Sequence, residues 1–282
     1  MITHQNFRRD AQHSAAASRI LTHDDIRRTA PSVFAASPFR TMSARYKFVP
    51  TIEVVDMLAD QGYRPMTAIQ GKSRIEGKEE FTKHMVRFRH DSHLGQLAIG
   101  DEFPELILTN SHDGTSAYKF ASGVYRLVCL NGLVVNSQDH GQISLKHSGG
   151  DDFHQRVIDV TYEVMDEAPK TMRQVQSWKE IETTAPERIA FANAAATLRD
   201  GDLIPGPDRV LATRRAADRQ DTNLWTTTNV VQENLIRGGI RATNRETGRR
   251  TNTREVKGVT ENLRLNRAIW QLTEFFAQQK GA

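Results

Sequence analysis

The chain has 282 residues, 38% of them apolar and 26% charged, with one cysteine and a net charge of +4. That length supplies one large domain or two small ones. A single cysteine excludes an intramolecular disulfide, no run approaches the roughly eighteen apolar residues of a membrane span, and MITHQNFRRDAQHSAAASRI holds no apolar leader segment, so the expected setting is a soluble protein of the reducing cytoplasm.

In chain order, residues 1–17 are small and polar and read as an arm. A short helix follows from Thr22 or His23 to Arg28, with Asp24 and Asp25 in its first turn, and it ends before Pro31. Residues 46–49 predict a short strand. Thr51 predicts a helix cap, with Ile52, Val55, Met57 and Leu58 as the apolar set and Gly62 as the stop. From Tyr63 to about His147 the apolar period is two, which predicts strands over 63–72, 80–90, 105–110, 116–130, 133–136 and 142–147. Along 81–90, Arg87 and Arg89 alternate onto the side that carries Phe81 and Met85, which suggests a partly wet, basic sheet face. Asp151 and Asp152 open a long helical pattern, Phe153, Val157, Val160, Val164 and Ala168, which Pro169 interrupts. Helical texture resumes over 171–181 and from Pro186 to Leu198. The stretch 200–208 reads as a loop, and 209–217 and 222–237 read as helices, the second stopped by Gly238-Gly239. A last helix is expected over 259–279. Segregated sheet and helices indicate an α+β fold, a curved antiparallel sheet packed by a long helix, with a helical C-terminal part. The expected segments are 1–45, 46–199 and 200–282, the last packed on the core.

Catalytic patterns are scarce. Asn110-Ser111-His112-Asp113-Gly114 offers a general base or two metal ligands, but Asp-Gly after a strand is first a turn signal. Cys129, between Val128 and Leu130, reads as a buried, inert thiol, and Asn131-Gly132 as a tight turn. His84, His90, His93, His112, His140, His147 and His154 crowd the sheet half, yet their spacings match no metal motif, and no phosphate-binding glycine loop is present. No catalytic residue, metal or cofactor is therefore expected. Trp225 and Trp270 read as core.

Charge is the stronger signal. From Arg237 to Lys257 seven basic residues face only Glu246 and Glu255, a local charge of +5, so the rest of the chain sums to about −1. Guanidinium groups interleaved with Thr and Asn suit phosphate oxygens. The expected nucleic-acid contacts are Arg249, Arg250, Arg254 and Lys257, then Arg241 and Arg245, with Arg87 and Arg89 from the sheet. A solvated loop or a subunit contact is the plainer alternative.

The stretches LILTNSHDGTSAYKFASGVYRLVCLNGLVV (106–135), NLWTTTNVVQENLIRGG (223–239) and GRRTNTREVKGVTENLRLNRAIWQL (248–272) resemble the phage- and plasmid-borne family of domain of unknown function 932, across most of the chain after about residue 45. That resemblance implies a mobile-element context and no particular activity. The layout, a curved sheet crossed by a long helix, is also similar to single-strand annealing recombinases of the RecT, Red-beta and Erf groups, which implies nucleotide-independent binding of single-stranded DNA and self-association into rings or filaments. The alternatives are an interaction protein acting on a host defence complex and a metal-dependent nuclease.

Overall fold

Thr22 opens helix α1 (His23–Thr29) with a reciprocal capping box: its hydroxyl accepts from the Asp25 N–H, and the Asp25 carboxylate accepts from the Thr22 N–H. The Thr22 N–H and hydroxyl, with Arg28 and Arg19 beside them, hold the Asp25 carboxyl at about 2. The computed structural model describes residues 19–40, 42, 46–95, 101–126, 133–134, 143–145, 152–199 and 201–281. The expectations for the arm at 1–17, Cys129, the Asn131-Gly132 turn, His140 and His147 lie outside them.

The chain divides into two units, Met1–Gly132 with Asn136–Ala168, and Leu133–Val135 with Pro169–Ala282. The division falls at Pro169, so the helices over 169–199 group with the C-terminal part. In the first unit, β1 (Tyr63–Gln70), β2 (His84–His90), β3 (Glu102–Asn110) and β4 (Tyr118–Arg126) follow one another antiparallel in the sheet. A two-residue strand, β5 (Leu133–Val134), groups with the second unit, and β6 (Ile143–Leu145) pairs with β4. The expected strand at 46–49 is extended chain without a ladder, and the Val49 carbonyl is taken by the Tyr118 hydroxyl at 2.8 Å. β2 starts only at His84, because Glu79–Phe81 forms a 3-10 turn and the Thr82 hydroxyl bonds the Gly71 and Glu79 carbonyls.

One sheet face packs under α1, α2 (Thr51–Asp60) and α3 (Phe153–Asp166). Val54, Val55 and Leu58 of α2 meet Val86, Phe88, Leu106, Leu108 and Phe120 of the strands, with Val157 and Val164 of α3 in the same core. The period-two and period-3.6 apolar patterns thus converge on a single layer boundary.

A polar hub sits within this apolar layer. Thr51 is the first helical residue rather than the cap, and its buried hydroxyl turns inward. It lies 2.9 Å from His84 Nε2, 3.0 Å from His112 Nε2, 3.0 Å from Asn110 Nδ2 and 3.3 Å from the Tyr118 hydroxyl. His84 Nδ1 in turn meets Ser32 Oγ at 2.9 Å and the Thr82 carbonyl at 3.2 Å. A hydroxyl has one proton and two lone pairs, and the Asn110 amide can only donate, so the two imidazoles cannot both accept from Thr51. At least one must donate, which fixes its tautomer.

The second unit is helical: α4 (Ala168–Glu180), α5 (Ala185–Thr197), α6 (Pro207–Val210), α7 (Leu224–Arg237) and α8 (Val259–Gln279). A small sheet, β7 (Leu203–Pro205), β8 (Arg241–Asn244) and β9 (Arg250–Asn252), runs antiparallel throughout. α7 is buried all round, polar residues included. Trp178, Trp225 and Trp270 cluster about it, with ring centroids 4.5 Å apart for Trp178 and Trp270 and 6.0 Å for Trp178 and Trp225. Its amides serve the interior: Gln232 donates to Asn266 at 2.8 Å, and Asn234 donates to the Val210 and Ala212 carbonyls. That capture removes two carbonyls from helical bonding, and the helix expected over 209–217 is reduced to the single turn of α6. The expected loop at 200–208 contains β7. No helix among the described residues is long and apolar enough to cross a membrane.

The hub makes a direct prediction. Thr51→Val keeps the shape and removes the shared hydroxyl, so stability should fall by about 3 kcal/mol. Urea denaturation should show a lower midpoint with unchanged slope, and a loss below about 0.5 kcal/mol would deny the hub its role.

Candidate nucleic-acid interface

The basic segment is a hairpin held against the end of α7. Gly238, at φ +64° and ψ −148°, ends the helix in a region that only glycine enters cheaply. A Cβ at that position would lie 2.5 Å from the Arg254 carbonyl oxygen and 2.9 Å from that of Thr253. The close approach is knitted by Gly239 N–H to Thr253 O at 2.8 Å, Thr253 N–H to Ile240 O at 2.9 Å and Val256 N–H to Ile236 O at 2.8 Å. Arg199 donates to the Leu235 carbonyl and to the Arg254 carbonyl, joining the last turn of α7 to the chain leaving the hairpin. Burial holds the Arg199 pKa below its ordinary value. Nothing in the sequence marked Arg199, since its partners are backbone carbonyls 36 and 55 positions away.

The hairpin tip is an Asx-type turn. Asn244 Oδ1 accepts from the Glu246 N–H at 3.0 Å, the Thr247 N–H at 2.7 Å and the Thr247 hydroxyl, and Gly248 takes φ +67°. Register fixes the faces: Arg241 stands opposite Asn252, Ala242 opposite Thr251, and Thr243 opposite Arg250. Cross-strand partners share a face, so Arg241, Thr243, Arg250 and Asn252 point together to solvent while Ala242 is buried on the other side. Arg245 and Arg249 flank the tip, and Arg254 follows β9; all three are exposed. Among the described residues no carboxylate lies in ion-pairing reach of Arg241, Arg245, Arg249, Arg250 or Arg254. Lys257 is exposed with Glu255 at 3.5 Å, and Arg237 is tied to Glu233 at 2.8 Å.

Arg87 and Arg89 lie elsewhere. They share the second face of the first unit's sheet, and both are buried, so they do not join the exposed set. The buried Glu105 carboxylate takes Arg89 at 2.9 Å and sits 2.8 Å from Arg87 Nε. Only the Arg89 contact is aligned as a hydrogen bond, so the Arg87 contact is electrostatic. The Arg89 guanidinium also stands 4.7 Å from the Phe103 ring and 5.0 Å from that of Tyr125, where the ring faces offset part of its desolvation. Alternation in the sequence put these arginines on one side correctly, but could not show that this side is covered.

His112-Asp113 and His90 are engaged in local structure. Asp113 Oδ1 accepts from the Thr115 N–H and hydroxyl, and its carboxylate meets Lys78 at 3.1 Å, so His112-Asp113 closes the turn between β3 and β4. His90 Nδ1 bonds Ser92 Oγ at 2.8 Å. Among the described residues no three His, Cys, Asp or Glu side chains are grouped as metal ligands.

A family model described as "Domain of unknown function (DUF932)" matches residues 38–270. The chain is 38% identical over 263 residues to UPF0380 protein YafZ of Escherichia coli (strain K12), and 38% identical over 263 residues to UPF0380 protein YfjQ of the same organism. Each alignment covers 93% of this chain and 93% of the relative. No solved structure matches.

Glu105 offers the test of the buried cluster. Glu105→Gln leaves two buried guanidiniums without their counter-charge, and unfolding measurements should show a loss of about 3–5 kcal/mol. A neutral outcome would mean that the arginines reach solvent.

Proposed function

We propose that this chain, which belongs to the DUF932 family, is a nucleic-acid-binding protein that holds the phosphate backbone on its β8–β9 hairpin without a nucleotide cofactor. One observation carries this reading: five exposed arginines on one rigidly seated hairpin, none engaged by a carboxylate among the described residues. Like charges held this close repel one another, and a polyanion relieves that repulsion while it accepts guanidinium hydrogen bonds. Lys257 extends the positive strip beyond these five, and the buried Arg87 and Arg89 take no part in it.

The narrower expectation, annealing of single-stranded DNA by a ring or filament, rests on the resemblance in layout. The hairpin adds nothing in its favour, because residues 241–257 contain no aromatic ring on which an unpaired base could stack.

Fluorescence anisotropy with a labelled oligonucleotide tests the reading. With about five phosphate contacts, affinity should fall roughly 100- to 500-fold between 50 and 200 mM salt. The double variant Arg249→Glu, Arg250→Glu should lose about 100-fold or more at low salt, with unchanged far-UV circular dichroism. Unaltered binding by that variant would remove the hairpin from the interface; no binding by the parent protein would turn the hairpin into a protein contact.

A further inference from the structure

We infer that the nucleic acid taken by this hairpin is duplex DNA, met in the major groove by the exposed face of the β7–β8–β9 sheet. The inference rests on the nucleic-acid reading above and narrows it to a form and a groove.

The face is built for side-chain readout. Arg241 and Asn252 form one cross-strand pair, Thr243 and Arg250 the next, and Ile204 of β7 stands beside Thr243. On the other side of the sheet Ala242 and Pro205 are buried, while Thr251 of the edge strand β9 is exposed, so packing holds β7 and β8 with their polar side outward. Among the described residues, the side chains of Arg241, Thr243, Arg250 and Asn252 have no hydrogen-bond partner, in contrast to Asn244, which is spent on the turn. β8 and β9, about 4.8 Å apart, form a two-stranded ribbon narrow enough for a groove about 12 Å wide. The side chains match what that groove displays: arginine pairs with guanine O6 and N7, asparagine with adenine N6 and N7, and a threonine or isoleucine methyl meets the thymine methyl. Arg245 and Arg249 at the tip, and Arg254 past β9, are placed at the ends of this face, where a groove has its phosphate walls.

Two further facts weigh against a single strand as the preferred form. The hairpin itself has no aromatic residue on which an unpaired base could stack. A duplex also presents one charge per about 1.7 Å of axis, against about 3.4 Å for one strand, so a purely cationic face gains more from it.

The experiment uses the full chain, a random 20-base-pair duplex library and a single-stranded pool of equal length. At 150 mM salt the duplex should bind at least about tenfold more tightly, and repeated selection should enrich a short motif containing guanine. Arg250→Lys keeps the charge and loses the bidentate fork. It should weaken binding to the selected motif by roughly tenfold or more while barely changing binding to random duplex or its salt dependence. Single strands bound as tightly as duplex, an unenriched library, or a uniform loss in Arg250→Lys across all sequences would each overturn this inference and leave nucleic-acid binding standing. Failure of both pools to bind would overturn the underlying reading instead.

Discussion

The arrangement of the basic hairpin depends on one clamp. Arg199 reaches two carbonyls, Leu235 in the last turn of α7 and Arg254 just past β9, and so ties the two ends of the hairpin to each other. Gly238 makes the clamp possible by letting the backbone of Thr253 and Arg254 come within the space a side chain would fill. Five uncompensated arginines on a loose loop would spread apart. Here the register of β8 and β9, the Asx turn at Asn244 and the clamp at the base leave them little freedom to do so. A pre-ordered cationic surface loses less entropy on meeting a polyanion than a loop that must first be ordered.

The two units hide their polar groups in different ways. In the first, Thr51 gathers His84, His112, Asn110 and Tyr118 inside an apolar layer, and Glu105 holds two arginines on the second sheet face. In the second, α7 threads through its neighbours with Thr, Asn, Gln and Glu all buried, and its carboxylate Glu233 is held by Arg215 and Arg237. Both units draw polar and charged side chains inward, whereas the arginines of the hairpin stand exposed and, among the described residues, without a carboxylate partner.

Much of the architecture was legible in the sequence. The apolar period placed β1 to β4 and the last helix, and the α+β order followed from it. Pro186, which marks a helix start in the sequence, stands in the first turn of α5. What was not legible had long-range causes. The helix expected over 209–217 yields to the Asn234 amide some twenty residues on, and the strand expected at 46–49 yields its carbonyl to Tyr118. The basic hairpin is visible as composition, but its two strands, which determine which arginines share a face, carry no period-two apolar pattern that would mark them. Arg87 and Arg89 were visible as charge, whereas the Glu105 carboxylate that takes them inside lies on another strand.

Hydrogen–deuterium exchange of the full chain, with and without a bound oligonucleotide, tests the central claim most directly. Protection centred on 241–254 and relieved by raising the salt is the predicted result. Unchanged exchange across the hairpin, with protection appearing only in the first unit's sheet, would contradict it.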